Sequence, residues 1–178
     1  MASPALDEAS DPRRAELAAF APAARQEMAT ERAMADADLE ITSSVLLDAT
    51  PERIFDAFAD PTSLARWWGP AGFTSTFHEF DFRPGGRWRF DMHGPSGATY
   101  PNENVFVELV RPERIVFDHL GGHRFRMLIT LTARGLQTEM VWCMRHETAE
   151  QCRQVRRDVL TANEENFDRL GRLLFQQG

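Results

Sequence analysis

From residue 40 onward, apolar and polar side chains alternate in short, regular blocks. Residues 41–47 read as a strand. Thr50-Pro51-Glu52 has the form of a helix start, an N-cap followed by proline in the first turn. Ile54, Phe55 and Phe58 then recur at helical spacing. Asp60-Pro61 repeats this start for a second short helix that runs to Trp67-Trp68, where Gly69-Pro70 ends it. Six stretches of period two follow, over residues 73–82, 87–93, 100–110, 114–119, 124–133 and 137–146. The turns between them are of hairpin length: Pro84-Gly85-Gly86, residues 94–97, Arg111-Pro112-Glu113, Gly121-Gly122 and Gly135. Such turns make an antiparallel meander. Over residues 149–175, Val155, Val159, Leu160, Asn163, Phe167, Leu170 and Leu174 recur at steps of three and four, the stripe of one long helix.

The expected fold class is α+β. A seven-stranded curved antiparallel sheet wraps a long C-terminal helix, with two short helices after the first strand. A sheet with one apolar face has to cover it, and only the last helix is long enough to do so. A strongly curved sheet gripping a single helix leaves a wedge between them, and an unfilled wedge is a ligand cavity.

Residues 1–39 differ in kind. Asp7, Glu8, Asp11, Glu16, Glu27, Glu31, Asp36 and Asp38 stand against Arg13, Arg14, Arg25 and Arg32, a balance of −4, and branched aliphatics are scarce. A short helix is expected from Asp11-Pro12 to Phe20, interrupted at Pro22. The segment is read as a poorly ordered or partly helical tail, and residues 40–178 as the folded domain. Met34 is an alternative start, since the ordered pattern begins shortly after it.

The chain's 178 residues suit one domain with an appendage, and a net charge of −7 argues against a protein built to wrap nucleic acid. No apolar run is long enough for membrane insertion, and no basic-then-apolar leader opens the chain, so a cytoplasmic location is expected. All 20 basic residues are arginine. The absence of lysine removes Schiff-base, pyridoxal-phosphate and Walker-lysine chemistry. Cys143 and Cys152 have neither metal nor redox spacing. No cofactor and no metal is expected: His119 and His123 flank the Gly-Gly hairpin but lack a third ligand by spacing.

The candidate site is the sheet face that meets the last helix. Trp88, Phe90 and Met92 lie in phase on one strand, Phe106 on the next, and Phe117 with His119 on the one after. Phe125, Met127 and Ile129 continue the face, followed by Trp142, Met144 and His146, with Phe167 opposite on the helix. Aromatic and methionine bulk exceeds aliphatic filler here, and such surfaces adapt to apolar ligands. Of Trp67 and Trp68, one is expected as a core plug; the other, with Phe73 across the Gly69-Pro70 hinge, forms a rim or gate. His119 and His146 are candidate polar anchors, and Glu79, Asn104 and Glu108 are candidate inward polar groups. An acid/base pair of Glu108 with His119 is conceivable on adjoining strands. No nucleophile motif accompanies it, so no catalytic residue is assigned. Arg153, Arg156 and Arg157 read as a solvated helix face.

The runs Trp67-Trp68-Gly69-Pro70, Phe82-Arg83-Pro84-Gly85-Gly86-Arg87-Trp88-Arg89-Phe90, Met92-His93-Gly94-Pro95-Ser96-Gly97, Tyr100-Pro101-Asn102-Glu103 and Arg111-Pro112-Glu113-Arg114-Ile115-Val116-Phe117 occur in order at hairpin positions. Over residues 40–176 they resemble the START-like helix-grip (SRPBCC) superfamily. The resemblance is closest to the branch named after the C-terminal domain of the activator of heat-shock-protein-90 ATPase. It implies a helix-grip fold and a choice among functions. The first is a binding module holding a small apolar or amphipathic molecule between sheet and helix. The alternatives are a cyclase- or hydrolase-like enzyme using His119, His146 or Glu108, and a chaperone-interacting protein. Residues 1–39 are too short and polar to be the separate chaperone-binding domain of the eukaryotic co-chaperone.

Overall fold

The computed structural model describes residues 25–26, 28–31 and 34–176. The chain divides into two units, the second beginning at Asp38. In the first, the described residues up to Ala37 are helical; the helix expected from Asp11-Pro12 to Phe20 lies outside the described residues.

The second unit runs β1 (Glu40–Leu47), α1 (Pro51–Ala59), α2 (Pro61–Trp67), β2 (Thr74–Phe80), β3 (Arg87–His93), β4 (Thr99–Val110), β5 (Arg114–His119), β6 (Phe125–Arg134), β7 (Gln137–His146) and α3 (Ala149–Gln176). The seven strands form one antiparallel sheet in the order β1-β7-β6-β5-β4-β3-β2. The short helices start where expected. The Asp60 carboxylate accepts from the N–H groups of Thr62 (3.0 Å) and Ser63 (3.2 Å), and the Thr50 hydroxyl accepts from Arg53 (3.4 Å). Each such cap contributes about 1 kcal/mol.

Strand β2 is shorter than its alternation suggests, because residues 81–86 fold into a turn that docks on β4. The N–H of Gly85 donates to the Phe106 carbonyl (2.7 Å), and Phe106 N–H donates back to Gly86 (3.0 Å). A Cβ at Gly86 would stand 2.0 Å from the Asp81 carbonyl oxygen, so only glycine fits there. Asp81 and Arg83 pair at 2.7 Å on the surface of this turn.

Bulges between Phe77 and Glu79 on β2 and between Phe106 and Glu108 on β4 shift the phase of both strands. Strict alternation would turn Glu79 and Glu108 inward. Instead Glu79 lies 3.7 Å from both Arg87 and Arg89, and Glu108 accepts from Arg114 at 2.9 Å on the exposed face. Leu109 packs against the core in Glu108's place.

The core lies between the sheet and the helices. Ile41, Ile115, Met127, Ile129 and Met140 from the strands meet Ile54 and Phe58 of α1 and Leu170, Leu173 and Leu174 of α3. Burying one such side chain contributes roughly 1.5–3 kcal/mol.

Candidate ligand-binding site

Register assembles the site. Trp88, Asn104, His119, Phe125 and His146 are successive direct cross-strand neighbours on β3 through β7. The row crosses the sheet on the face that meets α3, with polar side chains at three of its five positions. Nδ1 of His119 donates to Oδ1 of Asn104 (2.9 Å), and the Asn104 amide reaches the Trp88 carbonyl at 3.5 Å. The His119 ring stacks on Phe125 with centroids 4.7 Å apart, and Phe125 meets His146 at 5.9 Å. Burial holds the His119 imidazole below its ordinary pKa, opposed by a backbone hydrogen bond with Gly121. His146 is also lowered, first by burial, then by the positive charges of His123 and Arg156.

Alongside this row lie two adjoining hollows. The inner one, about 180 Å³, sits between sheet and α3. Trp68, Phe90, Met92, Phe117, Met127 and Trp142 give it an apolar wall, and Asn104, Asn163 and Asn166 a polar one. The outer one, about 310 Å³, lies between Tyr100, the 121–123 turn and Val155 of α3. Both are bordered by Asn102, His119, Phe125, Met144 and Val159, and His146 belongs to the outer one. The helix supplies its polar residues from within its apolar stripe. Asn163 Nδ2 donates to the Ser43 hydroxyl (3.0 Å), and Asn166 Oδ1 accepts from the Gly69 N–H (2.6 Å). Around Gly69 the grip tightens. Arg169 donates to the carbonyls of Arg66 (2.8 Å), Gly69 (2.8 Å) and Pro70 (2.9 Å), and Glu165 accepts from Ala71 N–H (2.9 Å). The turn that carries Trp68 over the inner hollow is thus held by α3.

Of the residues expected to line a cavity, Trp68, Phe90, Met92, Phe117, His119, Phe125, Met127, Trp142 and Met144 border the inner hollow, and His146 borders the outer one. The structure places the other six elsewhere. Trp67 is fully buried, its indole N–H donating to the Ala57 carbonyl at 3.1 Å; it is the core plug. Trp88 and Phe106 stack with rings 6.1 Å apart in the packed end near β2. Ile129 is fully buried. Phe167 packs edge-on against Trp142 at 4.8 Å. Phe73 lies across Tyr100 at 6.1 Å, covers Gly94, and borders neither hollow. The acid/base pair conceivable between Glu108 and His119 is not formed, because the β4 bulge turns Glu108 outward. Asn166, missed in the sequence, carries a legible signal: it sits three residues after Asn163 and four before Leu170, at helical spacing along the apolar stripe.

Burial pushes the Cys143 thiol up, away from thiolate chemistry. Among the described residues no three His, Cys, Asp or Glu side chains come together as a metal site. No helix among them is long and apolar enough to cross a membrane.

Comparison with known proteins places these features in a family. No curated sequence matches the chain. Several solved structures share its fold. A protein from Nitrosomonas europaea has a TM-score of 0.74 at 21% identity, covering 80% of this chain and 98% of its own. Protein Ms6760 from Mycobacterium smegmatis gives 0.72 at 24% identity, over 80% of this chain and 95% of its own. The AHSA1 protein of Silicibacter pomeroyi gives 0.65 at 17% identity, over 78% and 99% respectively. The family model described as "Activator of Hsp90 ATPase homolog 1-like protein" matches residues 48–174, from the end of β1 to the last turn of α3. With its helix-grip architecture and that match, the chain belongs to the activator of Hsp90 ATPase homolog 1-like family.

Proposed function

We propose that this protein is a cytoplasmic binding module that holds a small molecule, apolar at one end and polar at the other, between the sheet and α3. The observation that carries the reading is the adjoining pair of hollows with an aromatic inner end and a histidine-bearing outer end. A dry cavity of about 150 Å³ accommodates benzene. The inner hollow, about 180 Å³, therefore suits one ring, and the outer one the rest of the molecule. Desolvating the ring supplies affinity, at about 25 cal/mol per Å² buried. Polar atoms left inside supply orientation: the buried indole N–H of Trp142 and the buried imidazole of His146 have no hydrogen-bond partner among the described residues. Binding is favoured over catalysis because the acid expected to work with His119 faces solvent beside Arg114.

The test is titration of the full chain with N-phenyl-1-naphthylamine, a neutral fluorescent probe, beside native mass spectrometry of freshly purified protein. The wild type takes up the probe. Ala162 of α3 also lines the inner hollow, and Ala162→Phe, which fills it, loses uptake while its melting temperature is kept. No uptake by the wild type, or equal uptake by a folded variant, overturns the reading.

A further inference from the structure

We infer that the molecule held here carries an anionic oxygen group, a carboxylate on an apolar ring, and that His146 is the side chain that receives it. The inference rests on the binding reading above and adds the chemical class of the ligand.

His146 is 4% exposed, and neither of its ring nitrogens has a hydrogen-bond partner among the described residues. Buried polar groups are almost always paired, and an unpaired imidazole at the edge of a hollow is poised for a partner from outside the chain. The second histidine of the row differs, since His119 is already bonded to Asn104. His146 is therefore the polar group of the row left for a ligand.

The charges around it select the partner. Phe125 of β6 separates His146 from His119 of β5. His123 approaches from the β5–β6 turn and Arg156 from α3. The Arg156 guanidinium donates to the Glu40 carbonyl (2.9 Å) and lies 3.4 Å from Cys152 Sγ, with no carboxylate partner among the described residues. A further hollow that His146 borders is walled by Arg124, Arg126 and Arg145 against Asp118 and Glu147. Asp118 is held by Arg126 at 2.7 Å, and Glu40 accepts from Arg145 at 2.8 Å. The two groups that act on the imidazole by charge, His123 and Arg156, are both positive. An ammonium head is repelled there, a neutral head gains little, and a carboxylate is attracted while accepting the imidazole N–H in a charge-assisted bond. The part that bears it then occupies the outer hollow beside His146, and one ring of the apolar body extends into the aromatic inner hollow.

The experiment compares probes of one shape and different charge. 2-Naphthoate, methyl 2-naphthoate and 2-naphthylmethylamine are titrated calorimetrically into the full wild-type chain, His146→Phe and His146→Gln. The acid is expected to bind about tenfold more tightly than the ester, with the amine weakest. In either folded variant the acid loses its advantage and the ester keeps its affinity. Equal affinity of acid and ester in the wild type, or tighter binding of the amine, overturns the inference and leaves the binding reading standing. The same holds if a folded variant keeps the acid's advantage. If no probe binds the wild type, both fall. The wild-type comparison needs no variant, so it decides even if both substitutions prevent folding.

Discussion

Asn104 and His119 face each other across the β4–β5 ladder, and the 2.9 Å bond from the imidazole to the amide oxygen joins them. The pair closes one polar need inside an otherwise aromatic wall. Asn104 is 2% exposed, and its amide also approaches the Trp88 carbonyl at 3.5 Å. The bond fixes the His119 ring in rotation, stacked on Phe125, while burial lowers its pKa.

That arrangement predicts a pH dependence. Both His119 and His146 are held below their ordinary value, chiefly by burial. Unfolded, each titrates near pH ~6.5. Above that value their contribution to stability is fully present. As pH falls below it, the unfolded chain takes up protons that the folded chain refuses, and stability declines until the folded imidazoles also titrate. The melting temperature is expected to fall between about pH 7.5 and about pH 5.5, and to fall less in His146→Phe. A flat profile for the wild type would contradict the placement of both rings.

The grip of α3 on the turn after α2 predicts a local effect. In Asn166→Ala the buried Gly69 N–H loses its acceptor, at a cost of about 1–3 kcal/mol. Hydrogen exchange at Gly69 should accelerate well beyond that at Ala71, whose N–H is held separately by Glu165. Unchanged exchange at Gly69 would show that the bond does not hold the turn.

Two glycines should respond oppositely to alanine. Gly86→Ala drives a methyl into the Asp81 carbonyl and should destabilise by about 1–3 kcal/mol, in the manner of overpacking. Gly171→Ala, in α3, meets only Leu47 at an ordinary 3.7 Å and should gain up to about 1 kcal/mol from helix propensity. Chemical denaturation of the two variants beside the parent checks both signs.

Removing residues 1–33 is expected to leave the melting temperature within about 2 °C, since the body that begins at Asp38 contains its own core. A drop of many degrees would show that the segment contributes to folding.

Much of the architecture was readable because local rules governed it. Thr50-Pro51 and Asp60-Pro61 cap helices wherever they occur in a chain, and 137–146 alternates without interruption, as β7 does. The site was readable only in part, for two physical reasons. Alternation names the inward face but not depth, so Trp88, Phe106 and Ile129 looked like lining although neighbouring rings bury them. A bulge adds one residue and inverts every later position, which moved Glu108 from the supposed wall to solvent. Nothing in the alternation marks where that residue is added. Asn163 was absorbed into a hydrophobic stripe, although a polar side chain there signals a specific bond, which Ser43 accepts.

The pairing of β1 with β7 has a consequence for synthesis. Glu40 waits 105 positions for Arg145, its partner across the ladder. A chain emerging from the ribosome cannot zip its first strand into place until β7 has emerged. The greasy side of the growing meander meanwhile stays bare until the final helix is released. Nascent chains of this protein are therefore most vulnerable to clumping before α3 has emerged, and a stalled product lacking α3 is the form that quality control has to intercept.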